Sequence, residues 1–244
     1  MATTFNRLGA GAARLFEELV RSPNLAGLWV MNEGSGTIYD RGPNRLDGSA
    51  LGNPTFSKAI GQFYGLDLDG TDDAVNLTDA AALDFERTDL ISGLAVIAPN
   101  VSAEGAILAK YDATSTPDRG WSFALNSGRQ VHLKLANGSG NLLDVRGGTA
   151  LVNGTTYLVA FTYAGASAPA DIILYVNGVA ETPTTVSNTL SATISAAGYK
   201  AKIGAHDNLT ADEFNGDVGM VALWDGRVLT AEEMRRFAFL AGLL

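Results

Sequence analysis

The sequence of 244 residues contains no cysteine, and this absence excludes disulfide bridges and thiolate chemistry. Histidine is scarce as well, with two residues in the chain, so few groups are available for a histidine-based catalytic or zinc site. The 17 basic residues are outnumbered by 26 acidic ones, and the net charge is −9. Because nucleic acids and anionic membranes attract positive surfaces, we expect neither as the main partner.

Long apolar runs are also missing. No stretch approaches the ~20 residues that a membrane-spanning helix needs, so we predict no membrane span. Residues 1–20 lack the basic start, the apolar centre and the small-residue cleavage site of a signal peptide, and we expect no secretion signal. The sequence does contain 46% hydrophobic residues, which is enough for a large core in a single domain.

Apolar residues recur at steps of three and four over the first 24 residues, and this pattern is typical of one stripe on an amphipathic helix. Ser22-Pro23 ends the helix, because the residue before a proline avoids the helical region. We predict that residues 1–24 form a docking helix. Packing of the stripe on the chain's own domain is the alternative. The predicted docking residues are Phe5, Leu8, Leu15, Phe16 and Leu19.

Residues 25–236 show the pattern of a β-domain. Asn-Gly pairs at 137, 153, 177 and 215 predict tight turns, since both residues tolerate positive φ. No helix-length segment separates the strands, which favours antiparallel over parallel pairing. We therefore predict an all-β fold, an antiparallel two-sheet jelly-roll sandwich. The strand-length segments are 90–98, 106–110, 120–125, 130–136, 156–164, 171–176 and 217–224.

A second helix is predicted near the C-terminus. Thr230, with Glu233 three residues later, has the spacing of a capping box at a helix start. We assign the residues after the sandwich, 237–244, to a C-terminal tail.

Four segments carry a family resemblance. They are "LAGLWVMNEGSGTIYDRGPNRLDGSA" (25–50), "FYGLDLDGTDDAVNL" (63–77), "TYLVAFTYAGASAPADIILYVNG" (156–178) and "IGAHDNLTADEFNGDVGMVALWDGRVLTAEEM" (203–234). Their order and spacing resemble those of laminin-G-like domains, the concanavalin-like jelly rolls. The resemblance covers about residues 25–236 and leaves out the N-terminal helix. It implies a concanavalin-like sandwich.

The glycine-rich segment at residues 28–50 raises the question of a ligand loop with Glu33 and Asp40 as its acidic groups. Gly34 and Gly36 supply the backbone freedom that a corner needs, and Asp40 and Asp47 bracket a Gly-Pro turn. In the family this segment is chiefly architectural. We interpret it as a turn, with a ligand role for Glu33 or Asp40 as the alternative.

We find no catalytic constellation. Glycosidases that resemble this fold carry a Glu-x-Asp-x-x-Glu strand, and that spacing does not occur here; Glu86 and Asp89 come nearest. A serine triad needs a histidine, yet His132 lies within a strand pattern and His206 in a loop pattern. Neither histidine has a partner at zinc-ligand spacing, and no Gly-x-Ser-x-Gly elbow is present. We predict that the protein is not an enzyme.

Calcium is the metal that the resemblance brings into question, because relatives often hold a structural ion near the chain ends. Many relatives have acidic residues where this chain has Gly219 and Met220, and the chain offers Asp217 instead. We therefore predict no cofactor and no metal, with a structural calcium ion as the alternative.

Carbohydrate binding by a jelly roll usually uses exposed aromatic residues and polar loops. Trp29, Trp121 and Trp224 lie within apolar strand-like segments, so we expect them in the core. The weaker candidates for glycan contact are Tyr64, Tyr111 and Tyr199.

The prediction for function rests on resemblance. Domains with the "LDFERTD" style of strand entry recur in bacteriophage virion proteins that decorate heads or form fibres and spikes. We expect a non-enzymatic virion surface protein, assembled in the host cytoplasm. Its expected partners are capsid or tail subunits, its own copies and host-surface glycans. The alternative is a carbohydrate-binding module of a cell-surface or secreted protein.

Overall fold

Two antiparallel sheets form the body of the structure, a computed structural model that describes residues 8–112, 118–194, 196, 198–206 and 212–244. These residues contain 17 strands and two α-helices, α1 (Ala10–Val20) and α2 (Ala231–Leu240). The predicted jelly-roll sandwich with a helix near each end is confirmed. Neither helix has the length and apolar character needed to cross a membrane.

The strands are numbered along the chain. They are β1 (Leu25–Val30), β2 (Thr37–Ile38), β3 (Gly48–Leu51), β4 (Thr55–Ile60), β5 (Phe63–Asp69), β6 (Ala74–Leu77), β7 (Ile91–Pro99), β8 (Gly105–Asp112), β9 (Arg119–Leu125), β10 (Val131–Asn137), β11 (Leu142–Arg146), β12 (Tyr157–Tyr163), β13 (Ile172–Val176), β14 (Val179–Ala180), β15 (Thr184–Asn188), β16 (Lys202–Ile203) and β17 (Asn215–Asp225).

The first sheet has eight strands. Seven of its strands are hydrogen-bonded in the order β14, β13, β12, β7, β17, β5, β4, and the eighth, β1, pairs with β17. The second sheet has nine strands, in the order β15, β11, β10, β9, β8, β16, β6, β3, β2. Short 3-10 turns at Ala81–Leu83 and Pro169–Asp171 precede β7 and β13.

The predicted strand segments coincide with β7, β8, β9, β10, β12, β13 and β17. The predicted turn at Asn177 and Gly178 is the hairpin between β13 and β14, where both residues have positive φ, 47° and 75°. The turn predicted at Asn215 is wrong, because Asn215 and Gly216 begin β17. Glycine occupies position 216 for a different reason, because a Cβ there would lie 2.4 Å from the Ala98 carbonyl oxygen.

The main core lies between the sheets, because alternate side chains of each strand point inward. Trp29 and Trp121 are buried in it. Their indole N–H groups donate to the carbonyl oxygens of Leu46 at 2.7 Å and Leu83 at 3.2 Å. Both tryptophans are therefore core residues, as the sequence predicted.

A second core lies on the outer face of the eight-stranded sheet, beneath the two helices. Leu15 and Leu19 of α1 are fully buried there, and Leu8 and Phe16 pack against the same cluster. Leu15 and Leu19 are therefore not exposed to a partner in this structure, and the docking role of the helix stays a prediction. The stripe covers an apolar sheet face of its own chain, which is the alternative that the sequence left open. Phe5, the remaining predicted docking residue, lies outside the described residues.

The start of α2 confirms the predicted capping box. The Glu233 N–H donates to Thr230 Oγ1 at 3.2 Å, and the Thr230 N–H donates to Glu233 Oε2 at 2.8 Å. The helix continues to Leu240, and Phe237 stacks on the buried Trp224 with ring centroids 6.3 Å apart. The apolar face of α2 thus extends into residues 237–240, which the sequence analysis assigned to the C-terminal tail.

Candidate functional site

The outer face of the nine-stranded sheet is the sheet surface that the two helices leave uncovered. Strand pairing aligns one outward row of side chains across all nine strands, and we call it the polar row. Residues one position away, such as Val75, Trp121 and Phe123, point into the main core. Every member except Ala109 is polar. From β2 to β15 the polar row comprises Thr37, Ser49, Asn76, Lys202, Ala109, Ser122, Lys134, Asp144 and Ser187.

One end of the polar row is an open cleft of about 250 Å³, which we call the edge cleft. Hydroxyl, amide, carboxylate and ammonium groups face this space, and such groups bind sugar hydroxyls by hydrogen bonds. Asn76 Oδ1 is buried and lacks a hydrogen-bond partner among the described residues. The lining residues are Thr37, Asp47, Gly48, Ser49, Asn76, Leu77, Thr78 and Lys200.

The centre of the polar row is a buried polar cluster. His132 Nε2 on β10 is hydrogen-bonded to Asp144 Oδ1 on β11 at 2.6 Å. Lys134 Nζ donates to Glu104 Oε1 at 3.1 Å. His132 Nδ1 lies 3.7 Å from the same Glu104 oxygen and forms no hydrogen bond with any residue that the structure describes. These side chains come from different strands and loops, and the antiparallel pairing of β9, β10 and β11 places them together.

Ser122, His206 and Asp212 lie beside this cluster in the order of a nucleophile, a base and an orienting carboxylate. Ser122 Oγ is 2.9 Å from His206 Nε2, and His206 Nδ1 is 3.3 Å from Asp212 Oδ2. The polar contact with the imidazole lowers the pKa of the Asp212 carboxyl. Ser122 and His206 are, however, 1% and 0% exposed. A substrate carbonyl cannot reach the serine oxygen in this conformation, so the trio is not a working acyl-transfer site as it stands.

The three tyrosines predicted as glycan contacts do not share one surface. Tyr111 is buried at the end of β8, where its hydroxyl donates to Asp118 Oδ2 at 2.8 Å, and burial raises its pKa. Its predicted exposure is wrong, because it packs in a small apolar cluster on the nine-stranded sheet. Tyr64 is half-buried in β5 of the other sheet. Tyr199, also half-buried, directly precedes Lys200 of the edge cleft.

The glycine-rich opening segment is a turn held by a buried carboxylate. Asp40 is fully buried; its Oδ1 accepts from the Leu28 N–H and its Oδ2 from the Leu46 N–H, both at 2.8 Å. Glu33 is bonded to the Arg41 guanidinium at 2.8 Å, and burial raises the Glu33 pKa. Since both Asp40 oxygens bind backbone, the architectural interpretation fits this segment better than a ligand role.

Asp217, the candidate calcium ligand, faces Asp67 across β17 and β5. Burial, together with the charge of Asp67, raises the pKa of Asp217 to about 6. Lys58 forms an ion pair with Asp67 at 3.3 Å. Gly219 lies two residues after Asp217. A Cβ at Gly219 would lie 3.1 Å from the Phe63 Cβ, so close packing explains why no larger residue is found there.

A family model of laminin G type, described as the concanavalin A-like lectin/glucanases superfamily, matches residues 69–235, more than half of the chain. The chain belongs to this family. No curated protein shows significant sequence similarity to this laminin G-like sandwich.

Solved structures show the same fold. Domain 4 of AbnA, an extracellular arabinanase from Geobacillus stearothermophilus in complex with arabinotriose, has a TM-score of 0.63 at 15% identity, covering 88% of this chain and 98% of that one. For botulinum neurotoxin type C, whose cell entry depends on two ganglioside molecules, the TM-score is 0.65 at 11% identity, covering 94% and 53%. The binding domain of paraclostridial mosquitocidal protein 1 has a TM-score of 0.62 at 12% identity, covering 88% and 52%. The laminin G-like sandwich thus spans about half of each toxin chain.

The polar cluster was not predicted as a site. Its members are far apart in sequence, and the search for catalytic and zinc motifs relied on local spacing. A usable signal was nevertheless present: Ser122, His132 and Lys134 are polar positions that alternate with apolar ones in β9 and β10.

Proposed function

We propose that this laminin G-like sandwich is a non-catalytic glycan-binding module that binds through the edge cleft, the open end of the polar row. The observation that carries the proposal is the edge cleft itself, an open space of about 250 Å³ lined by hydroxyl, amide, carboxylate and ammonium groups. Such groups bind sugar hydroxyls by hydrogen bonds.

The class of glycan follows from charge and from the comparison with the arabinanase domain. That domain is covered over nearly its whole length and was solved with arabinotriose, a neutral oligosaccharide. A net charge of −9 disfavours anionic ligands such as sialylated glycans. We therefore propose neutral oligosaccharides as ligands.

The chemistry of the edge cleft supports binding without hydrolysis. Asp47 is the only carboxylate among the described residues that line it, whereas glycoside hydrolysis generally uses a pair of carboxyl groups across the scissile bond. Glu86 and Asp89, the nearest match to glycosidase spacing, close a turn in which the Glu86 N–H donates to Asp89 Oδ2 at 2.8 Å.

For its setting we propose a bacteriophage particle, and the support is the motif resemblance of residues 83–89 alone. Attachment through the apolar stripe of α1 is not part of this proposal, because the chain's own sheet covers that stripe.

Calorimetric titration with arabinotriose and a panel of neutral oligosaccharides tests the binding proposal. Thr37→Ala removes an exposed hydroxyl from the edge cleft, and Thr155→Ala removes an equally exposed hydroxyl from a distant loop. One hydrogen bond contributes about 0.5–1.5 kcal/mol, so Thr37→Ala should weaken Kd roughly twofold to tenfold. Thr155→Ala should leave it unchanged.

Two results would overturn the proposal. One is the absence of binding to every neutral oligosaccharide tested. The other is equal affinity of the Thr37→Ala and Thr155→Ala variants for a sugar that does bind. Release of reducing sugar during incubation with the protein would contradict the non-catalytic part.

A further inference from the structure

Beneath the centre of the polar row, donor groups of the kind that bind metals converge. One ligand atom from each of Glu104, His206 and Asp212 lies within 4.8 Å of the other two. His132 Nδ1 lies next to this group, 3.7 Å from Glu104 Oε1, but is not within 4.8 Å of all three. The convergence of one imidazole and two carboxylates, with a second imidazole beside them, is the first observation.

The second observation concerns the Nδ1 atoms of the two histidines, which are both buried. His132 is 2% exposed and His206 is 0% exposed. Each Nδ1 atom lies beside a carboxylate, 3.7 Å from Glu104 Oε1 and 3.3 Å from Asp212 Oδ2, but forms no hydrogen bond of good geometry with the described residues. Buried nitrogens of this kind are nearly always satisfied. Two such nitrogens, each beside a carboxylate of the same cluster, are donors that a metal ion could use.

The remaining ring nitrogens are held in place. His132 Nε2 is hydrogen-bonded to Asp144 Oδ1 at 2.6 Å, and His206 Nε2 to Ser122 Oγ at 2.9 Å. A His132 ring that donates from Nε2 to the Asp144 carboxylate and carries no second proton would leave its Nδ1 lone pair facing Glu104. Metal-bound histidines commonly have this arrangement, with one nitrogen on the ion and the other fixed by an outer partner.

The net charge of the cluster also favours a bound cation. Glu104, Asp144 and Asp212 bring three carboxylates into the cluster. Lys134 supplies a cation at Glu104, which leaves an excess of negative charge near the two imidazoles. A divalent cation bound by Glu104, His206 and Asp212 would neutralise this excess.

We propose that Glu104, His132, His206 and Asp212 form a binding site for a divalent transition metal, with Zn²⁺ as the fitting ion. Two imidazole nitrogens and two carboxylates match the donors and the coordination number that Zn²⁺ takes in proteins. Ca²⁺ and Mg²⁺ prefer sites made wholly of oxygen. The proposal is independent of glycan binding, since it concerns side chains beneath the surface.

The test uses the full chain without an affinity tag, stripped of metal by a chelator and titrated with Zn²⁺ alone. We expect one equivalent to bind. Because the chain has only two histidines, the imidazole ¹⁵N spectrum reports on both directly, and Zn²⁺ should shift the Nδ1 signals of His132 and His206. Zn²⁺ binding that leaves both Nδ1 signals unmoved would overturn the proposal, and so would the absence of binding.

Variants then identify the ligands. Glu104→Gln and Asp212→Asn keep the size of the side chain, and each should weaken the Kd for Zn²⁺ at least tenfold. Ser122→Ala, which removes the outer partner of His206, should weaken it about tenfold. The matched control is Asp72→Asn, in the separate acidic group of Asp69, Asp72 and Asp73. Loss of binding in Asp72→Asn but not in Glu104→Gln would assign the ion to that group and overturn the proposal.

Discussion

Replacing Leu15 by alanine tests whether α1 belongs to the domain or serves a partner. Leu15 is fully buried against the outer face of the eight-stranded sheet. An 11-residue helix is marginal in water by itself, because nucleation is costly, so α1 depends on this packing. If the packing exists in solution, Leu15→Ala must destabilise the isolated chain.

The size of the effect follows from the burial. A Leu→Ala change at a fully buried site costs about 2–5 kcal/mol, from lost transfer free energy and the cavity that remains. For a chain of this size each kcal/mol shifts Tm by about 2–4 °C, so a decrease of roughly 4–20 °C is expected. Val20, at the end of the same helix, is 39% exposed, and Val20→Ala should change stability by less than about 0.5 kcal/mol.

Urea unfolding followed by tryptophan fluorescence measures both variants. Trp224 is a suitable probe, because its indole N–H donates to Ser22 Oγ at 2.9 Å just after α1. Equal free energies of unfolding for Leu15→Ala and Val20→Ala would refute the reasoning. In that case α1 would not pack on its own sheet, and the docking role would be favoured.

Three further predictions concern pH, a buried lysine and the particle. The pKa of Asp217 is raised from 3.8 to about 6, so protonated Asp217 stabilises the fold at low pH and this contribution is lost as pH rises through 6. Asp217→Asn should therefore flatten the decrease in Tm between pH 4 and 7, and an unchanged slope would count against this prediction. Lys110 is fully buried and paired with Asp79 and Asp84 at 2.7 and 2.6 Å. Removing the carboxylates of both Asp79 and Asp84 should lower the free energy of unfolding, measured with urea, by about 3 kcal/mol, because the buried ammonium would be left unpaired. Lys110→Met should lower it clearly less, and equal losses would contradict the prediction. The protein should co-sediment with assembled bacteriophage particles from infected cells, and its absence from purified particles would exclude the virion setting.

The sandwich was predictable because its signals are local. Strand-length apolar segments, Asn-Gly turns and the Thr230–Glu233 capping box each act over a few residues, and the structure reproduces most of them. The exceptions depend on tertiary contacts. Asn215-Gly216 has the composition of a turn, yet close approach of the Ala98 carbonyl is what requires glycine there.

The partner of the apolar stripe was harder to predict. A periodic stripe shows that a helix face is buried, but it does not show against what. The deciding information lies in the strands: β1 ("LAGLWV") and β7 ("ISGLAVIAP") are buried at every position instead of alternating with polar residues. A strand that is apolar on both faces needs cover on both, and α1 and α2 supply the outer cover.

The same reasoning distinguishes the two sheets. In β9, β10 and β11, inward apolar residues alternate with outward ones that include Ser122, His132, Lys134 and Asp144, so the strand sequences favour a partly polar outer face. The polar cluster then depends on register. His132 and Lys134 are two residues apart on one strand, but Glu104, His206 and Asp212 reach them only because β8, β9, β10 and β16 are neighbours. Residue spacing along the chain cannot reveal such a site. The order of the strands, together with the knowledge of which alternate side chains point outward, can. For a sheet protein, the search for candidate ligands therefore has to follow the pairing across strands.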